Sequence, residues 1–114
     1  MTACKIVRIA VVTCAFVLIS GISGAESYVV EQSGKEFVYK GSKIAKLKIK
    51  VGDVVEFKNA DPFFHNVFSL SDVKLFDLGS YPQGQSKSVK FDKAGVVEIE
   101  CAIHPQMHMA VEVK

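Results

Sequence analysis

The chain has 114 residues, of which 49% are hydrophobic, and a formal net charge of +2 at pH 7. This length allows one domain at most. Nucleic-acid binding needs a surplus of basic side chains to neutralise phosphates, so a charge this small argues against it.

Residues 1–25 have the pattern of a secretory signal peptide. Two basic residues precede an apolar run from Ile9 to Ile19, and the small residues Ser23 and Ala25 stand before a cleavage point. A retained membrane anchor is the alternative, but the apolar run is shorter than the roughly 20 residues that a membrane span needs. We therefore expect cleavage after Ala25, a periplasmic mature chain, and no stable membrane association after cleavage.

Removal of this segment changes both the charge and the cysteine content. Its only charged residues are Lys5 and Arg8, so the remaining domain, residues 26–114, has twelve lysines and twelve acidic residues. Two of the three cysteines also lie in the segment, which leaves Cys101 as the only thiol. A lone thiol is a liability in an oxidising compartment, and metal ligation would remove that liability.

Residues 26–114 alternate between short apolar–polar runs and turn residues, and no helix-period stretch of any length appears. Such alternation predicts strands, as where Leu47, Ile49 and Val51 would face a core and the intervening lysines solvent. The predicted strands are 28–31, 37–39, 46–51, 54–58, 66–70, 88–91, 96–101 and 110–114. Residues 71–86 are the least regular, and no strand is predicted there. The pattern predicts an all-β sandwich of seven to eight strands.

A cysteine, a histidine and a methionine lie close together near the C-terminal end. A predicted strand ends at Cys101 with its side chain facing inward, and His104 and Met107 follow at three and six residues. His65 directly precedes another predicted strand, so it could reach the same end of the sandwich. One thiolate, two imidazoles and a weakly bound thioether form the ligand set of a mononuclear blue-copper site. The predicted metal ligands are therefore His65, Cys101, His104 and Met107.

Met109 is an alternative to Met107 as the weakly bound ligand. With Met109 in that role, only five residues would remain for the exit from the loop and the closing strand. With Met107, the side chains of Val111 and Val113 both face the core, because side chains alternate along a strand. The spacing favours Met107.

The pattern resembles the cupredoxins, and most closely the small amicyanin-like and plastocyanin-like copper proteins. The resemblance covers essentially all of residues 26–114. It rests on the run from Gly52 to Asn59, on His65-Asn66-Val67, on the strand end and turn from Phe91 to Gly95, and on Cys101-x-x-His104-Pro105-x-Met107. It implies a Greek-key β-sandwich with one bound copper ion and an exposed edge of His104 through which electrons pass. It also implies that Asn66 ties the two ligand-bearing segments together.

We therefore expect a monomeric type 1 copper protein that carries one electron between redox partner proteins outside the cytoplasm. One alternative is a copper sequestration or delivery protein on the same fold, with His108 and Met109 as additional ligands. A zinc-binding or metal-free module is a third. An enzyme is not expected, because three histidines and one mature cysteine are too few for an oxygen-reducing or binuclear copper centre and no nucleophile–base pair stands out.

Overall fold

The computed structural model describes residues 24–114, which form a sandwich of two β-sheets. The predicted signal peptide lies outside these residues, apart from Gly24 and Ala25. The ten strands are β1 Ser27–Ser33, β2 Glu36–Tyr39, β3 Ser42–Lys43, β4 Lys46–Ile49, β5 Val54–Asn59, β6 His65–Ser69, β7 Phe76–Tyr81, β8 Ser86–Lys90, β9 Gly95–Glu100 and β10 His108–Val113. Within the described range, no helix is long and apolar enough to cross a membrane.

The first sheet has the strand order β3-β2-β1-β5-β8. Its β1–β2 hairpin turns at Gly34 and Lys35, whose φ angles are 63° and 60°. Positive φ at both central residues defines the type I′ turn, whose twist matches that of the flanking strands. β1 also pairs in parallel with β5, which in turn pairs antiparallel with β8.

The second sheet has the order β4-β10-β9-β6-β7. β10 pairs antiparallel with β9 and in parallel with β4, while β6 pairs antiparallel with both β9 and β7. A β-bulge interrupts the β6–β7 register between Asn66 and Phe68. Because β6 and β9 are antiparallel, the first residue of β6 and the last residue of β9 lie at the same end of the sandwich. Both ligand-bearing segments are attached at that end.

The core lies between the sheets and follows the alternation of the strands. In β9, for example, Val97 and Ile99 are fully buried, whereas Val96 and Glu98 are exposed. Burial of such side chains stabilises the fold at about 25 cal/mol per Å² of apolar surface. The buried hydroxyl of Tyr81 in β7 also donates to the carbonyl oxygen of Phe57 in β5 at 3.0 Å, which connects the two sheets.

The predicted all-β sandwich is confirmed, but the described residues form ten strands rather than seven to eight. One additional strand is the two-residue β3, and the other is β7, in the region predicted to be irregular. β7 lacks clean apolar alternation because it lies at a sheet edge and is mostly exposed or half-buried. The inward orientation predicted for Val51 is wrong: β4 ends at Ile49, the chain turns, and Val51 is 48% exposed.

Candidate metal centre

Two segments bring the predicted ligands together at one end of the sandwich. His65 is the first residue of β6, and Cys101 directly follows β9. The chain then makes a short turn, in which the N–H of Met107 donates to the carbonyl oxygen of His104 at 2.9 Å. This turn folds His104 back toward Cys101 before β10 begins.

Three donor atoms converge at this point. The sulfur of Cys101 lies 3.8 Å from Nδ1 of His65 and 3.8 Å from Nδ1 of His104, and the two Nδ1 atoms are 3.1 Å apart. Imidazole and thiolate bonds to a first-row metal of about 2.0–2.3 Å would place such atoms roughly 3.5–3.7 Å apart around one ion at 120°. The two sulfur–nitrogen distances have nearly these values, and the distance between the two nitrogen atoms is shorter. One thiolate sulfur and two imidazole nitrogens therefore fit a single metal ion of the copper type.

Asp61 fixes the orientation of the His65 ring. Nε2 of His65 lies 2.7 Å from Oδ2 of Asp61, and both side chains are buried. An ionised carboxylate only accepts hydrogen bonds, so Nε2 carries the proton and Nδ1 presents its lone pair to the metal position. Asp61 also accepts the backbone N–H groups of Gly34 and Lys35 at 2.7 and 3.0 Å. Burial alone would raise the pKa of Asp61, but these hydrogen bonds from His65 and the hairpin lower it.

Asn59 and Asn66 brace the segment between β5 and β6 and connect it to the cysteine. The side-chain nitrogen of Asn59 donates to the carbonyl oxygens of Phe63 and Tyr81 at 2.8 and 2.9 Å, and its oxygen accepts the N–H of Asp61 at 2.8 Å. Oδ1 of Asn66 accepts the N–H of Ala102 at 2.7 Å. The predicted role of Asn66 in linking the two ligand-bearing segments agrees with this contact.

Of the three converging side chains, that of His104 is the nearest to solvent. Cys101 and His65 are 1% and 0% exposed, whereas His104 is half-buried. The ring of Phe63 packs against both imidazoles, with centroids 5.3 Å from each. Desolvation and then the adjacent His65 lower the pKa of His104, which favours the neutral, metal-binding form of its imidazole.

The two methionines and His108 occupy different environments. Met107 is 1% exposed and belongs to the turn that carries His104. Met109 is fully buried within β10, opposite Ile99 of β9. His108 is exposed, and its Nε2 lies 2.6 Å from Oε1 of Glu98. His108 therefore points to a surface carboxylate, away from the cluster that a copper-delivery role would have it join.

Sequence reasoning found His65, Cys101 and His104, which the structure brings together, but it missed Asp61 and Asn59. The only feature of the sequence that pointed to a role for Asp61 was its position four residues before His65. Its contact with Gly34 and Lys35 depends on a hairpin that precedes it by 26 residues or more, and no local pattern reports that contact. Asn59 stood out in the sequence only as the last residue of the run from Gly52 that carries the cupredoxin resemblance.

Comparison with known proteins agrees with this geometry. Residues 25–114 match the family model of copper binding proteins of the plastocyanin/azurin family. The methylamine utilization protein MauL of Methylorubrum extorquens is 34% identical over 68 residues, which are 59% of this chain and 60% of MauL. The chain thus spans about three fifths of that relative's length.

Solved structures of copper proteins have the same fold. A Cu(I) form of an amicyanin variant aligns with a TM-score of 0.67 and 26% identity over 77% of this chain and 82% of that chain. A reduced form of a second amicyanin variant aligns with a TM-score of 0.67 and 27% identity over 82% of this chain and 85% of that chain. The copper-containing nitrite reductase NirK of Thermus scotoductus also aligns with a TM-score of 0.67 and 26% identity. The alignment covers 77% of this chain but 22% of NirK.

The family match covers every residue from Ala25 to the end of the described chain. It includes the strands, the convergent histidines and the cysteine, and it confirms copper as the metal that this donor set fits. The chain belongs to the plastocyanin/azurin family of copper-binding proteins, the cupredoxins.

Proposed function

We propose that the protein carries single electrons between partner proteins, with one copper ion held by His65, Cys101, His104 and Met107. The observation that carries this proposal is the triangle of donor atoms from the two histidines and the cysteine at one end of the β-sandwich. Bound copper supplies the redox chemistry by cycling between its Cu(I) and Cu(II) states.

The surrounding side chains hold the donor atoms in one arrangement. Asp61 orients the ring of His65, and Asn66 fixes the backbone next to Cys101. Because these partners are themselves buried or hydrogen-bonded, the ligands need to move little when the charge at the site changes. A fixed ligand set with a buried thiolate suits electron transfer better than bond-making chemistry, which supports a carrier rather than an enzyme.

His104 is the proposed route for the electron. It is half-buried. Three large apolar residues that contact or directly precede the two histidines, Phe63, Phe64 and Ile103, are 36%, 54% and 47% exposed. Exposed apolar side chains of this kind provide a surface for transient contact with a redox partner protein. A partner that docks there would reach the site through the imidazole edge.

Met107 is proposed as the weak fourth ligand. Its side chain is buried, and its backbone is hydrogen-bonded to His104 within the same turn. Met109 lies two residues further along, within β10, where it pairs with Ile99 of β9. The thioether of Met107 is therefore the better candidate for the weak fourth ligand that copper would take beside the three strong ones.

We also propose that residues 1–25 direct export and are cleaved, and that residues 26–114 act in the periplasm as a monomer. The pattern of basic, apolar and small residues supports export. The position of β1 supports the cleavage point, because the first strand begins at Ser27, two residues after Ala25.

The test of the carrier function is spectroscopic and electrochemical. The copper-loaded protein should show an intense visible thiolate-to-copper band and a reversible one-electron wave. The Cys101→Ser and His104→Ala variants should lose the band, whereas His108→Ala should keep it, since His108 pairs with Glu98 at the surface. A colourless wild-type complex, or a band that survives Cys101→Ser, would contradict the proposal. Loss of copper to a chelator on reduction would favour copper delivery instead.

A further inference from the structure

Asp53 has a buried carboxylate that forms no salt bridge with a lysine of residues 24–114 and lies at the opposite end of β5 from the metal centre. Asp53 is 1% exposed and directly precedes β5, whose last residue, Asn59, braces the ligand-bearing segment at the other end. Among the described residues, no lysine ammonium lies within salt-bridge distance of Asp53. Buried charges are normally paired with an opposite charge, so the lack of such a partner needs an explanation.

The groups that Asp53 does bind come from the beginning of the domain and from the preceding turn. Oδ1 accepts the backbone N–H of Glu26 at 2.9 Å, and Oδ2 accepts the backbone N–H of Lys50 at 2.8 Å. The hydroxyl of Tyr28 lies 3.5 Å from Oδ2. The nitrogen of Glu26 is therefore in direct contact with a buried negative charge.

Glu26 is also where backbone pairing with the domain begins. Its carbonyl oxygen accepts the N–H of Val54 at 2.9 Å, in line with the parallel pairing of β1 and β5. Gly24 and Ala25, by contrast, are exposed. The Ala25–Glu26 bond thus joins an exposed segment to the first residue that the sandwich holds on both its N–H and C=O sides.

We propose that Asp53 forms a binding site for the amino terminus that cleavage after Ala25 creates, in which the Glu26 nitrogen, as an ammonium group, pairs with the buried carboxylate. This inference rests on the proposed cleavage point and is independent of the electron-carrier role. Before cleavage the same nitrogen is an amide that donates one hydrogen bond. Afterwards it carries a full positive charge at the same place.

The sign of the resulting pH dependence follows from the pairing. The hydrogen bonds from Glu26 and Lys50 lower the pKa of Asp53, so its carboxylate stays ionised at neutral and alkaline pH. A free α-amino group ordinarily has a pKa of about 7.7–8.0, and an adjacent carboxylate raises that pKa. The stabilisation of the folded state by this ion pair is then fully present below about pH 7.7. It is lost as the pH rises through the raised pKa of the α-amino group in the folded state.

Other ionisable groups face this site, and they are common to every form that the experiment compares. They are the carboxylate of Glu26, the hydroxyl of Tyr28 and the charged side chain of Lys50, and Lys90 lines the same surface cleft. Burial and then the Glu26 carboxylate raise the pKa of Tyr28 to about 12, so its hydroxyl stays neutral while the amino terminus titrates.

The first part of the experiment locates the amino terminus. The full-length precursor is expressed with its own signal, and the intact mass of the exported, copper-loaded protein is measured. The expected mass is that of residues 26–114. A terminus at any other residue overturns both the cleavage point and this inference.

The second part compares two copper-loaded proteins released from a cleavable fusion, one beginning at Glu26 and one that retains Ala25. NMR titration should give an α-amino pKa at least one unit above the ordinary value for the first and an ordinary value for the second. As the pH rises from 7 to 10, the unfolding equilibrium constant of the first should rise at least tenfold more than that of the second. In the form that begins at Glu26, Asp53→Asn should return the pKa to the ordinary value.

The outcomes distinguish a failure of the ammonium site from a failure of the cleavage point or of the copper site. An ordinary α-amino pKa in the form that begins at Glu26, or identical pH profiles for the two forms, would overturn the ammonium site while leaving the cleavage point intact. The retained-Ala25 form keeps the comparison valid if Asp53→Asn fails to fold. The visible band, recorded for both forms, reports the copper site separately.

Discussion

At the scale of single residues, the predicted ligands depend on polar neighbours that are not themselves candidate ligands. Asp61 accepts one hydrogen bond from His65 and two from the β1–β2 turn. One carboxylate therefore connects a ligand in the second sheet to a hairpin in the first. The candidate ligands stand out in the sequence because thiolate, imidazole and thioether groups are rare and chemically specific. Asp61 does not, since its role arises only when the distant hairpin folds against it.

The hydrogen bond from Ala102 to Asn66 should hold the cysteine-bearing segment in position. Asn66→Ala removes the acceptor, and we expect a stability loss of about 1 kcal/mol and a fall in copper affinity of about 10- to 100-fold. Chemical denaturation and competition with a chelator measure the two effects.

Ser71→Ala is the matched control for that change. The hydroxyl of Ser71 also accepts a backbone N–H, from Glu98 in β9, at 2.9 Å, but on the exposed surface. Its removal should cost less than about 0.5 kcal/mol and leave copper affinity unchanged. Equal effects of the two substitutions on copper affinity would show that Asn66 has no special part in holding the site.

At the scale of elements, alternation predicted most strands because one face of each sheet is buried. It failed for β7, an edge strand, and for Val51, where the pattern continued past the end of β4 into a turn. It succeeded for β10, where the fully buried Val111 and the nearly buried Val113 follow the predicted parity. The alternation of apolar and polar side chains thus identifies strands that bury only one face. It cannot locate the residue at which a strand ends.

The start of β9 has a close approach that the sequence did not reveal. Gly95 has a φ of +140°, and a Cβ added there would lie 2.6 Å from Cγ2 of Val73. Gly95→Ala should therefore lower the free energy of unfolding by about 2–4 kcal/mol, from backbone strain and overpacking together. Urea denaturation of the copper-free protein measures the loss.

Two further variants separate the strain from the clash. Gly34→Ala tests strain alone, because its φ is +63° and nothing lies within 4 Å of the added Cβ; it should cost about 1–2 kcal/mol. Adding Val73→Ala to Gly95→Ala should relieve part of the loss. If the double variant is no more stable than additivity predicts, the close approach contributes nothing.

The turn before β10 and the strand itself give a matched pair of methionines for testing the fourth ligand. Met107 and Met109 are both buried, and replacement of either by leucine conserves volume, so each should cost less than about 1.5 kcal/mol in stability. Met107→Leu should alter the visible spectrum and raise the reduction potential, because Cu(II) loses a donor that Cu(I) needs less. Met109→Leu should change neither. The reverse result would assign the fourth position to Met109.

At the scale of the whole molecule, the predicted copper ligands lie in and directly beside one sheet, but their support comes from both. The ligands follow from β6 and from the β9–β10 connection, whereas Asp61 is anchored to the β1–β2 turn. The metal end therefore couples the two layers of the sandwich. A domain of this size that has no disulfide among its described residues has a modest stability, so this coupling should be measurable.

Copper binding should accordingly raise the stability of the entire domain. Free copper at 100 times the dissociation constant adds about 2.7 kcal/mol to the free energy of unfolding if the unfolded chain does not bind it. For a domain of 60–100 residues this corresponds to a rise in Tm of roughly 10–20 °C. Thermal unfolding followed by circular dichroism, with and without a chelator, measures the shift. Cys101→Ser should abolish most of it, since the thiolate is lost, whereas His108→Ala should retain it. Equal Tm values for the copper-loaded and copper-free wild-type protein would mean that copper does not bind the folded chain in preference to the unfolded chain.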